Sequence, residues 1–345
     1  MVVEKLLLKA ADKIKEGTQK MHASSFKKFL QARHEVLVVG IALVLVLLFV
    51  AISGGVWASP YNLASVLQVT ATLGLMALGE ALVITSGEID ISVGSTFGFA
   101  AITYLGLVSH LGTVLTLIIA LAAGIAIGAL NGFIVVWFRI PSLIMTLGTL
   151  LIFQGLGLAV TKGFSFSIPW AKRQHLTYHV IGGENFLGVN TAVFWMVGLF
   201  ILFQVIVFAT RFGNHLLAVG GSNETAHSRG ISVRRVKFAA FALCGLLAAF
   251  GGVLEAGKLG SADASMGRLM EMQAIAACVL GGCALSGGRV SLLGTLVGTL
   301  ILCSIQSFLV IMGLQPQWFM LVLGIIVIGA ARADRVFRDW VQRGV

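Results

Sequence analysis

Charge is scarce in this sequence. Only 11% of its 345 residues are Asp, Glu, Lys or Arg, against about 25% in soluble domains. A water-soluble enzyme of this length needs more polar surface than that, so the class is excluded. Acids are scarcer than bases, 14 against 24, for a net charge of +10. A nucleic-acid-binding face would gather its Lys and Arg onto one surface. Here all 24 lie in or beside gaps between apolar stretches, which excludes that reading. Cysteine is limited to Cys244, Cys278, Cys283 and Cys303, all inside apolar stretches and none in a Cys-x-x-Cys pair. They read as small buried hydrophobes rather than a disulfide or metal framework. No His-Glu-x-x-His or Gly-x-Ser-x-Gly occurs, and the seven His fall in loops, so neither a metal site nor a membrane proton relay is expected. Gly252-Val253-Leu254-Glu255-Ala256-Gly257-Lys258 copies much of a phosphate-binding loop. However, Leu259 stands where Ser or Thr is required, and the segment ends an apolar stretch.

What the chain has is apolarity. Its hydrophobic content is 58% and its mean hydropathy +0.98. Glycine is plentiful at 42 and proline rare at 4, which suits close packing of long helices. Ten stretches approach the ~20 apolar residues that cross a bilayer: 36–53, 63–84, 91–109, 113–137, 142–161, 190–209, 237–257, 271–286, 290–312 and 317–332. Those at 91–109 and 271–286 are rich in Gly and small polar residues and can be broken or half-spanning. With the N-terminus inside, 19 Lys and Arg fall on the inner side and 5 on the outer. The positive-inside rule then places both termini in the cytoplasm. Trp57, Trp170, Trp195 and Trp318 fall near outer boundaries, Trp137 and Trp340 near inner ones, as an interfacial belt would.

The fold class expected is all-α integral membrane, with about ten transmembrane helices. Residues 1–35 form a basic leader, read either as an amphipathic surface helix or as a segment that only sets topology. The transmembrane domain covers 36–332 and a cytoplasmic tail 333–345. The runs VITSGEIDISVGSTFG (83–98) and VLGGCALSGGRVSLLG (279–294) share one pattern. Their parent blocks, about 63–161 and 237–332, enter the membrane from opposite sides, which is an inverted repeat with broken or re-entrant segments.

Two stretches carry chemistry. In Ser86-Gly87-Glu88-Ile89-Asp90-Ile91-Ser92-Val93-Gly94-Ser95, two acids flanked by glycines sit beside a span. Acids at such depth face a partner, a cavity or a pathway, and a glycine-flanked break is tolerated there only inside protein. Asp90 reads as a gate element or as a cap of the following helix. Glu80, Glu88, Asp90, Ser92, Asn131, Glu271 and Gln273 are the candidate pathway residues. Glu255 is a further acid in an apolar run, and Gln68, Gln154 and Gln306 add uncharged polarity suited to interhelical hydrogen bonds. The second stretch is the inner loop 210–237. Its Glu224-x-Ala226-x-x-x-Gly230 spacing predicts a short polar helix ended by glycine, able to dock on a soluble partner. Candidate coupling residues are Gly220, Gly221, Asn223, Glu224, Ala226, Gly230 and Ile231.

At these stretches the sequence resembles the permease subunits of bacterial sugar ABC importers, a group that includes autoinducer and polyol permeases. Four ordered motifs carry the resemblance. The first is Gly87 to Ser95. The second runs from Ala129-Leu130-Asn131-Gly132 through Ile140-Pro141-Ser142 to Thr146-Leu147-Gly148-Thr149. The third is Thr210-Arg211-Phe212-Gly213 with Ala218-Val219-Gly220-Gly221 and Gly230-Ile231. The fourth runs from Ile275-Ala276-Ala277 through Leu280-Gly281-Gly282 to Leu285-Ser286-Gly287-Gly288-Arg289. Glu88 departs from the Gly usual in the first motif, and Gln273 from a usual Asp.

The resemblance implies a multi-pass inner-membrane subunit that imports a small sugar or sugar-like solute. It implies three protein partners: a cytoplasmic ABC ATPase, a periplasmic solute-binding protein and a second permease subunit, as homodimer or heterodimer. The chain itself would bind no cofactor, since the ATPase partner would hydrolyse ATP with Mg. It would contact the lipid bilayer and no nucleic acid. The rival reading is a secondary transporter driven by an ion gradient through Glu80, Glu88 and Asp90. A membrane-embedded enzyme is disfavoured, because no nucleophile–base pair is apparent.

Overall fold

The computed structural model describes residues 34–168, 181, 185, 186 and 188–342. Leader residues 1–33, most of the 162–189 loop with Trp170, and residues 343–345 lie outside them. Twelve α-helices run along the described residues: α1 (His34–Ile52), α2 (Pro60–Thr85), α3 (Val93–Leu111), α4 (Thr113–Trp137), α5 (Ser142–Thr161), α6 (Thr191–Ala209), α7 (Arg211–Gly221), α8 (Asn223–Ser228), α9 (Val233–Leu259), α10 (Met270–Leu280), α11 (Leu292–Ile311) and α12 (Gln317–Gln342). Strand structure is confined to two-residue pieces. Among them Phe166–Ser167 pairs antiparallel with Ser261–Ala262. The protein is an all-α integral membrane protein, with seven of these helices long and apolar enough to cross a bilayer.

The two longest central helices are α2, with 26 residues, and α9, with 27. Ser59 caps α2, accepting from the Asn62 N–H, and Pro60 supplies a preset first turn. From Val83 back to Ala71 every α2 side chain is buried. The helix most apolar in sequence is α1, at mean hydropathy 3.1, yet it is among the least buried; α2, at 1.7, is among the most. Helices facing lipid must be apolar all round, whereas the centre of the bundle can hold polar groups that pair with one another. Leu43, Val44 and Leu47 on α1, Ile144, Leu151 and Ile152 on α5, and Ile201 and Val205 on α6 form that exposed apolar surface.

Small residues set the central contact. Gly124, Gly128 and Gly132 form one stripe of α4 laid on α9, where added Cβ atoms would meet Ala249, the Phe241 carbonyl and the Phe238 backbone. The spacing lets the two backbones approach closely. Trp57, expected in the interfacial belt, is instead buried against Phe49, with ring centroids 5.9 Å apart. Trp137, Trp195 and Trp318 do keep exposed faces.

Two helices start inside the protein. Residues 86–92 leave α2 and turn back along it, so that α3 begins in the interior. Residues 260–269 enter from the other end of α9, a helix about 40 Å long at 1.5 Å per residue. They lead to α10, which has 11 residues and so extends only about 16 Å. The stretch 271–286 is therefore half a span, because the helix stops at Leu280 where Gly281 presses on Gly294 and Gly282 turns with φ +98°. The N-termini of α3 and α10 meet: a Cβ on Gly94 would collide with the Glu271 carboxylate, and one on Gly98 with the Met266 carbonyl.

Residues 260–269 thus lead into an interior helix start, as 86–92 do. The runs 83–98 and 279–294 sit together at one end of the bundle, where the Gly288 N–H donates to the Thr85 carbonyl over 2.9 Å. Their shared glycines serve tight turns at a common face, which sequence composition reads as repetition.

Candidate functional site

The first break is pinned by side chains from two helices. The Asp90 N–H donates to Glu80 Oε1 (3.1 Å), the Ile89 N–H to Ser142 Oγ (3.3 Å) and the Ile91 N–H to Thr146 Oγ1 (3.1 Å). Leaving helix geometry frees these N–H groups, and buried donors need partners. The polar side chains of α2 and α5 supply them. Ser142 and Thr146 are spaced i, i+4 and therefore share one face of α5.

A buried hydrogen-bond chain continues from there. Asp90 Oδ1 accepts from the Ser92 N–H (2.9 Å) and the Ser92 hydroxyl (2.6 Å). Ser92 Oγ accepts from Asn131 Nδ2 (2.8 Å), and Asn131 Oδ1 accepts from Thr149 Oγ1 (2.7 Å). Cys244 Sγ lies 3.8 Å from the other Glu80 oxygen. Glu80, Asp90, Ser92, Asn131 and Thr149 are each no more than 1% exposed. The structure thus joins four of the seven candidate pathway residues into one network. Asp90 makes a turn two residues ahead, at the N-cap residue Ser92, rather than bonding a first-turn N–H of α3 itself.

The remaining three lie nearby but apart. Glu271 is buried at the meeting of α3 and α10, beside Ser95, Gln154, Met266 and Arg268 around a cavity of about 20 Å³. That volume holds one water at most. Leu269, just ahead, has φ +67°, a conformation a branched side chain seldom takes. Gln273 is half-buried two residues on. Glu88 faces the other way and pairs with Lys237 Nζ at 2.6 Å.

Glu88 and Lys237 sit in a cleft of about 900 Å³, also lined by Arg139, Pro141, Asn223, Glu224, His227 and Gly230. One wall is the helical loop segment. Ser222 caps α8 by accepting from the Thr225 N–H (3.2 Å). Gly230 closes it with φ +80°, and the Ile231 N–H reaches back to the Ala226 carbonyl (3.0 Å). This 6→1 bond is a Schellman ending, where the spacing predicted a helix ended by glycine. Asn223, Glu224, Thr225, His227 and Ser228 are exposed. Ala226 is not: it is 2% exposed and faces the protein. Its place among the candidate coupling residues is therefore corrected: it offers no surface to a partner. An inward position on a six-residue helix needs a small apolar residue for packing within the chain.

Gly220 and Gly221 differ in the same way. A Cβ on Gly220 would run into the Thr85 carbonyl, and one on Gly287 would meet the Gly220 carbonyl at 2.7 Å. A Cβ on Gly221 would meet nothing within 4 Å. The end of α7 thus rests directly on the end of α2 and on the turn at Gly287 and Gly288.

Lys237, Cys244 and Thr85 belong to this site but are not among the candidate site residues read from sequence, and Ser142, Thr146 and Thr149 were noted only as parts of a motif. The hydroxyl stripe 142, 146, 149 on one helix face was a readable signal. Lys237 at the edge of an apolar stretch was another.

Residues 62–331 match the family described as branched-chain amino acid transport system / permease component. The chain is 35% identical over 277 residues to the ribose import permease protein RbsC of Escherichia coli, covering 79% of this chain and 85% of that protein. It is 37% identical over 313 residues to the probable ABC transporter permease protein YphD of the same species, covering 90% and 92%. It is 31% identical over 323 residues to the autoinducer 2 import system permease protein LsrC of Yersinia enterocolitica, covering 92% and 87%. No solved structure matches.

Proposed function

This chain belongs to the family of branched-chain amino acid transport system permease components, and from that premise we propose that it carries a small sugar or sugar-like solute through the inner membrane. It is a multi-pass permease of an ABC importer. The solute class rests on relatives named for ribose and autoinducer 2, against a family description that names amino acids. The observation that carries the mechanism is the contact between the loop segment and the first break. The end of α7 sits on Thr85, from which the break and its buried network begin. An external protein that shifts α7 and α8 would push on backbone with no side chain between to absorb the movement.

In this reading the α8 face of Asn223, Glu224, Thr225 and His227 docks on a cytoplasmic ATPase, with both termini on the same side. A periplasmic binding protein delivers solute at the other end, and a second permease subunit completes the pathway. Glu80, Asp90, Ser92 and Asn131 hold the first break, and Glu271 and Gln273 lie where the two interior helix starts meet, the level at which a closed pathway is constricted. ATP is hydrolysed by the partner. In support, residues 252–258 continue α9 as helix instead of forming a strand–loop–helix cradle.

The test is uptake into vesicles containing this permease, its ATPase and its binding protein, across a panel of pentoses, hexoses and polyols. Uptake that requires ATP and the binding protein is expected. Uptake by the chain alone under an ion gradient would overturn the proposal.

A further inference from the structure

The geometry points to Glu88 and Lys237 as a positioning pair: an ionic strut through which movement of the loop segment reaches the first break. The inference rests on the importer reading above and adds a residue pair to it.

The break is held on its inner sides by hydrogen bonds from its backbone N–H groups to the Glu80 carboxyl, to Ser142 and to Thr146. Glu88 projects from its remaining side into the large cleft. Its carboxylate lies 2.6 Å from Lys237 Nζ, with the two side chains 18% and 9% exposed. The residues are 149 apart in sequence, so no local element forces them together.

Lys237 is the fifth residue of α9, and α9 follows α8 after only residues 229–232. The loop helix and the lysine therefore move on one short tether. The ammonium sits near the positive end of a helix, with Arg234 and Arg235 beside it in sequence. That position disfavours a cation, and a nearby carboxylate offsets it. Removing one partner of a poorly hydrated ion pair leaves the other charge uncompensated, so separation is resisted and the two segments travel together. Arg139 and Arg234 line the same cleft but are solvent-exposed and have a weaker claim on the carboxylate.

The test compares four complexes in vesicles: wild type, Glu88→Gln, Lys237→Gln and the swap of Glu88→Lys with Lys237→Glu. Each is assembled with ATPase and binding protein. The probe is a radiolabelled mixture of ribose, xylose, arabinose and galactose, and solute uptake and ATP hydrolysis are both measured. Each single variant is expected to keep its ATPase and hydrolyse ATP but to move at least about 5-fold less solute per ATP, the low end of coupling between sites. The swap is expected to restore most of the ratio. Single variants that match wild type would overturn the strut, and so would a swap as poor as the singles. Loss of the assembled complex in the single variants would overturn it too, since the pair would then be holding the fold. A wild-type complex that took up none of the sugars with ATP would instead fail the importer reading itself.

Discussion

The Glu271 carboxylate of α10 lies against the Cα of Gly94 in α3, so closely that Gly94 has no room for a side chain. The first turns of the two interior helices share this point, and a buried carboxylate sits where both helix dipoles are positive. Gly94→Ala would force apart the Glu271 side chain and the Gly267 backbone. A loss of about 1–3 kcal/mol from overpacking is expected, with a lowered thermal midpoint in detergent and reduced uptake. An unchanged midpoint would mean that the meeting is looser than described.

Asp90 separates a structural from a pathway role. Asp90→Asn can still accept from the Ser92 N–H and hydroxyl, so stability should be retained. Asp90→Ala leaves both donors unmet, at a cost of about 1–3 kcal/mol. Thermal unfolding checks the first comparison and uptake the second. If both variants transport normally, Asp90 has no part in the pathway.

Gly220 and Gly221 make a matched pair of adjacent sites. Gly220→Ala should drive α7 off the Thr85 carbonyl and cut uptake while the exposed α8 face keeps its ATPase. Gly221→Ala meets open space and should stay within about 0.5 kcal/mol of wild type. Equal behaviour of the two would remove the backbone contact from the coupling route.

On α8, exposure decides which substitutions test docking. Glu224→Lys and His227→Glu change exposed residues, so stability should hold within about 0.5 kcal/mol while ATPase co-purification falls. Ala226→Arg should instead destabilise the chain itself, by burying a large cation among packed residues. Full ATPase retention by the Glu224→Lys, His227→Glu double variant would move the docking face to the turn at Arg139.

Topology has a direct check. A reporter fused after Val345 should score as cytoplasmic and one inserted near Gly183 as periplasmic. A periplasmic C-terminus would contradict the 19-to-5 distribution of Lys and Arg.

The sequence by itself determined the solvent, the number of apolar stretches, the break around Asp90 and the short glycine-ended helix at Glu224. Each is a local property: hydropathy summed over about 20 residues, or punctuation by Gly and Ser within a few positions. Tertiary structure alone decided that Glu80, Asp90, Ser92, Asn131 and Thr149 form one chain, that Ala226 points inward, and that 260–269 meets the start of α3 while the turn at Gly287 lies against Gly87. Those facts depend on how each helix is rotated about its axis and how deep it sits. A lipid-facing helix such as α1 is apolar on all sides, so no polar face records its rotation. Depth is likewise unrecorded for α3 and α10, which begin inside the protein, where the adjacent acids Asp90 and Glu271 are buried and mark no membrane boundary. Contacts such as Lys237 with Glu88, 149 residues apart, follow only once those rotations and depths are set by packing.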